Sequence, residues 1–179
     1  MHDLGNPGLA HRHGIVRRHA DLLDPLTAGV TLLGANKLNV AALIDSSTQD
    51  VGAVKRLQDN KQLSKKGLVQ VSEFTGTADA DIEDLFERDF YLSLVNLAYE
   101  KELPATIQLS DINEKDPRIV RAIEAYFKTH NIAGGNFNHY RPAAALLRNQ
   151  ASVSKNINQK TLDQAEKLIV RLNGLLPKN

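Results

Sequence analysis

Apolar positions along this chain fall into two kinds of pattern. In the first part they form short, nearly unbroken runs, Leu38-Asn39-Val40-Ala41-Ala42-Leu43-Ile44 and Leu68-Val69-Gln70-Val71. Runs this short suit strands covered on both faces, as in parallel sheets. Between them Val51, Val54, Leu57 and Leu63 recur among Lys55, Arg56, Asp59 and Lys61, the spacing of an amphipathic helix. The order strand, helix, strand predicts a βαβ unit, with residues 38–45 and 68–71 as neighbouring parallel strands joined by a right-handed crossover. The first run ends on Asp45, followed by Ser46-Ser47-Thr48 as loop; the second leads to a turn at Thr75-Gly76-Thr77.

Beyond Asp79 the apolar spacing changes from runs to helical stripes. Phe90, Leu92, Leu94, Val95, Ala98 and Tyr99 predict a helix reaching about Leu103 and closed by Pro104. Ile119, Val120, Ile123, Tyr126 and Phe127 predict a second, from Pro117 to Thr129, with proline in its first turn. Gly134-Gly135 interrupts. Two more helices are expected over Pro142–Asn149 and Thr161–Leu176. The predicted architecture is α/β, a small parallel sheet flanked by helices with a mainly helical C-terminal half.

Residues 1–30 do not fit either pattern. Gly5, Pro7, Gly8 and Gly14 break regularity around His11-Arg12-His13 and Arg17-Arg18-His19. They predict a flexible or non-homologous leader that packs little on a domain spanning residues 31–179. At 179 residues the chain is long enough for one ordinary domain. Its net charge of +1 supplies no global field for nucleic acid, so any such contact needs a local patch. The absence of cysteine removes disulfides, thiol nucleophiles and thiolate zinc sites. No apolar run approaches the length of a membrane span, and the basic N-terminus has no signal-peptide core. These features predict a cytoplasmic protein without a membrane partner.

Candidate chemistry concentrates in one place. Ala78-Asp79-Ala80-Asp81-Ile82-Glu83-Asp84-Leu85-Phe86 carries four carboxylates, and Asp45 stands at the end of the first strand. One Asp at a strand's C-terminal edge plus a second acidic cluster is a donor set for Mg²⁺ or Mn²⁺, which bind oxygen ligands and retain water. A bound ion of that kind polarises a phosphate and activates water. The plainer reading is that the cluster complements the N-terminus of the following helix. No P-loop, G-x-S-x-G elbow, H-E-x-x-H pair or G-x-G-x-x-G fingerprint occurs, so no ATP site is expected in this chain.

Taken together, Asn36-Lys37-Leu38-Asn39-Val40 to Asp45, Ala80-Asp81-Ile82-Glu83-Asp84-Leu85-Phe86, Phe90-Tyr91-Leu92-Ser93-Leu94-Val95-Asn96-Leu97-Ala98-Tyr99, His139-Tyr140-Arg141-Pro142-Ala143 and Leu172-Asn173-Gly174-Leu175-Leu176 resemble one known family. It is the C-terminal Toprim region of prokaryotic AAA-type ATPases related to the overcoming-lysogenisation-defect nucleases. The resemblance covers about Leu32 to Pro177 and implies metal-dependent DNA cleavage coupled to an ATPase. It implies that Asp45, Asp81 and Glu83 converge on Mg²⁺ or Mn²⁺ and that Arg141 neutralises the phosphate. Two departures accompany it. No Glu occurs before Glu73, and Ser47 stands where the Toprim D-x-D motif has its second Asp. The expectation is therefore a shortened Toprim-like domain with little or no nuclease activity of its own, any ion being held weakly. The alternative is a non-catalytic interaction module that docks on a partner ATPase or on a second copy. A phosphoacceptor receiver domain is disfavoured, because no acidic pair precedes Asp45. His139 and Tyr140 are read as packing or capping residues rather than catalytic ones.

Overall fold

The computed structural model describes residues 30–33, 40–46, 55, 58–59 and 63–175. Residues 1–29 of the expected leader and most of the expected crossover helix lie outside the described residues, although Lys55, Gln58 and Asp59 are helical. Val30, counted with the leader, is instead helical and buried with Ala42 and Leu63, so the packed part includes it. Strand β1 (Ala42–Ile44) pairs in parallel with β2 (Leu68–Gln70), in the register Ala42↔Leu68, Leu43↔Val69 and Ile44↔Gln70. Both fall inside the expected segments. Side chains alternate across the pleat. Ala42 and Ile44 join Val30, Val40, Leu63 and Leu68 on one side, while Leu43 packs with Val71, Phe74, Ala80, Leu85 and Leu168 on the other. The sheet is therefore covered on both faces, as its apolar runs require. Gly67 leads into β2 at a point where a Cβ would lie 2.7 Å from the Val40 carbonyl oxygen, so only glycine fits.

The chain then forms α1 (Ser72–Thr75), where the sequence suggested only a turn. The turn is stabilised from a distance, because Ser46 Oγ accepts the Ser72 N–H at 2.8 Å. Gly76, with φ of 75°, ends it in the left-handed conformation that favours glycine.

Helices α2 (Arg88–Ala98), α3 (Ile119–Thr129) and α4 (Tyr140–Arg148) surround the main core. Their apolar stripes meet through Leu94, Val95, Tyr99, Ile119, Ile123 and Phe127. Tyr99 and Phe127 meet edge to face at 4.7 Å, and Phe137 packs edge-on to Phe127 at 5.2 Å. Such contacts add to the burial of the rings. Between α3 and α4, Asn131, Ala133, Gly134 and Gly135 all have positive φ, which breaks the helix where the paired glycines suggested. Short α5 (Gln150–Val153) leads to α6 (Gln159–Asn173). Asn158 caps α6 by accepting the Thr161 N–H at 2.9 Å, so the helix begins two residues earlier than its apolar stripe implied. The domain is mixed α/β with a small parallel sheet. Among the described residues, no helix is long and apolar enough to cross a membrane.

Candidate functional site

The end of β1 and the acidic turn are joined by backbone. Ser46 and Ala80 form an antiparallel bridge, with Ser46 N–H donating to the Ala80 carbonyl at 2.8 Å. That bridge sets Asp45 against the 3₁₀ turn Ile82–Leu85, and Asp45 Oδ1 accepts the Ile82 N–H at 2.9 Å. Asp84 Oδ2 accepts the Asp81 N–H at 2.8 Å and its Oδ1 accepts the Ile119 N–H at 2.9 Å. One carboxylate thus caps the acidic turn and the start of α3 together. Burial pushes the Asp84 carboxyl above its ordinary range, and the two backbone donors oppose that rise.

Asp81 is almost wholly buried, with 5% of its side chain exposed. Arg118, at the N-cap of α3, faces it with a two-pronged fork: Nε donates to Oδ2 at 2.7 Å and Nη2 donates to Oδ1. This bidentate geometry is the strong form of a charge-assisted pair. The hydrogen bond to Asp81 holds the Arg118 guanidinium even further into its charged form. Arg121 extends the network, bonding Asp116 at 2.7 Å and Asp79 at 3.1 Å. Its hydrogen bond to Asp116 pulls that carboxyl below the usual range.

Glu83 is half-buried beside His139, with Oε1 and Nδ1 separated by 3.6 Å, while His139 Nε2 lies 3.0 Å from Glu124. Burial lifts the Glu83 carboxyl above its ordinary value of 4.5; Asp81 and Asp45 add to the rise and His139 opposes it. An acid with a higher pKa folded than unfolded binds its proton more tightly in the native state. Its favourable contribution is complete below the unfolded value and is lost as pH rises through the folded one. Glu83→Gln is therefore expected to raise the thermal midpoint at neutral pH, because the variant no longer holds a charge in that half-buried position. Melting curves across acid pH should show that gain shrinking towards zero below the unfolded pKa.

Asp45, Asp81 and Glu83 thus lie in one neighbourhood, although 36 positions separate the first two. Arg141 does a different job. Its guanidinium lies over the Tyr99 ring at 3.7 Å and its Nη2 donates to the Ala98 carbonyl at 2.6 Å and to Glu102 at 2.9 Å. These contacts tie α4 to the C-terminal end of α2. The sequence reading missed Arg118, Arg121 and Asp116. One signal was legible: an arginine at the start of a helix and a second in its first turn oppose the macrodipole and need acidic partners elsewhere.

The residues as placed do not fit a Mg²⁺ or Mn²⁺ ion. Both Asp81 oxygens accept hydrogen bonds from Arg118, so the carboxylate is already engaged by a positive charge. Among the described residues, no group of three His, Asp or Glu side chains is arranged to hold a metal. The arrangement instead neutralises a buried carboxylate and satisfies the backbone of a tight turn. Compared with known proteins, the chain matches no family model, no curated protein and no solved structure.

Proposed function

We propose that the chain is a Toprim-like interaction module, related to the overcoming-lysogenisation-defect nucleases, that does not cleave DNA by itself. The observation that carries this reading is the Arg118 fork on Asp81. A carboxylate that must bind a divalent ion is of little use when both oxygens are engaged by a guanidinium. Asp84, and Asp45 through its Oδ1, support it by accepting backbone N–H groups, the task of capping residues. Arg141 is likewise engaged in packing α4 on α2 rather than poised for a phosphate. In this reading the acidic turn anchors α3 to the sheet, and the helical half carries the docking surface. The partner the resemblance suggests is an ATPase of that family or a second copy of the chain, with DNA handled by the assembly.

Supercoiled plasmid incubated with the purified chain and Mg²⁺ or Mn²⁺ tests this directly. The expected result is no nicking above the buffer control. Metal-dependent nicking that Asp45→Asn and Glu83→Gln both abolish would overturn the proposal.

A further inference from the structure

Among the described residues, strand β2 pairs only with β1. Val71 N–H donates to the Ile44 carbonyl at 3.1 Å, and alternate residues of a strand turn their backbone groups to opposite edges. Leu68 and Gln70 therefore turn theirs away from β1. An edge of this kind offers N–H and C=O groups to a strand of any other molecule. Proteins usually protect such edges with a charge, a proline or a bulge in the strand itself. Leu68-Val69-Gln70-Val71 has neither charge nor proline.

Two side chains from other elements take up that edge instead. Arg171, near the end of α6, donates through Nη2 to the Lys66 carbonyl at 3.0 Å and to the Leu68 carbonyl at 3.4 Å. Glu73, in α1, accepts the Gln70 N–H on Oε1 at 2.9 Å. The two are also joined to each other, with Arg171 Nε donating to Glu73 Oε2 at 3.1 Å. Donors thus face the carbonyls and an acceptor faces the N–H, the pattern a neighbouring strand's backbone presents. Both side chains are about a third exposed, so as an ion pair they contribute little to stability. What the pair does that an ordinary surface salt bridge does not is satisfy the strand's backbone.

We propose that Arg171 and Glu73 together stand in for a third strand and hold the outer edge of β2 closed against strand pairing with a second copy. The guard is assembled only in the folded chain, because 98 positions separate its two members. Loss of either member frees backbone groups on an uncharged strand. The nearest match for them is the same edge of another molecule, since two copies of one edge pair about a two-fold axis. This inference goes beyond the module reading and does not rest on it.

Sedimentation velocity of the full chain and its variants over one concentration series tests the guard. Arg171→Ala and Glu73→Ala should each associate at concentrations about tenfold lower than the wild-type chain, while their circular dichroism stays that of the folded domain. Glu73→Ala leaves α6 untouched and decides the matter if Arg171→Ala fails to fold. Gln70→Pro removes the N–H that strand pairing at this edge uses, and proline is tolerated where an edge strand's N–H faces outward. Added to either variant, it should return association to the wild-type level. Folded variants that associate no more than the wild-type chain would overturn the proposal, as would association that Gln70→Pro leaves in place. DNA nicking by the wild-type chain would refute the module reading and leave the guard standing.

Discussion

Replacing Arg118 by alanine is expected to destabilise the domain by about 3 kcal/mol, a large share of the total stability of an ordinary domain. The reason is asymmetry. The intact pair offsets the desolvation of Asp81, whereas the single variant leaves a carboxylate with 5% of its side chain exposed facing no cation. Asp81→Ala should cost a similar amount, because Arg118 then loses the acceptor for its fork. The double variant should cost about as much as either single change rather than their sum, since both remove the same interaction. Urea unfolding of the four proteins checks this. Additive losses would show that the two residues act independently.

The other large effect is expected in the helical core. Phe127 is fully buried and meets Tyr99 and Phe137 edge to face. Phe127→Ala removes those contacts and leaves a cavity between α3 and the loop carrying Phe137, costing about 4 kcal/mol. Chemical denaturation should show a lower midpoint with little change in slope, because the surface exposed on unfolding is nearly the same. A loss below about 1 kcal/mol would mean that the core closes over the gap, contrary to the close packing described.

The legible and illegible parts of this protein divide along sequence distance. The stripe Ile119, Val120, Ile123, Tyr126 and Phe127 identified α3, because helical burial is a local repeat. The runs before Asp45 and after Gly67 identified β1 and β2, because strands covered on both faces cannot alternate with polar residues. Short α1 was hidden, since the group that stabilises its first N–H, Ser46, lies 26 residues earlier. Arg118 was hidden for the same reason, as its partner Asp81 is 37 residues away. The acidic turn itself was visible, but pattern alone leaves a metal-binding cluster and a helix-capping cluster looking alike. What separates them is the position of a guanidinium, and that is a property of the tertiary fold.

Backbone amide shifts followed during a Mg²⁺ titration, with Asp45→Asn as the comparison, give the most direct test of that distinction. If Arg118 keeps Asp81 engaged, no saturable shifts cluster around Asp45 and Glu83, and the wild-type chain and Asp45→Asn respond alike. Clustered, saturating shifts at those residues that vanish in Asp45→Asn would contradict the account and restore the acidic turn as a metal site.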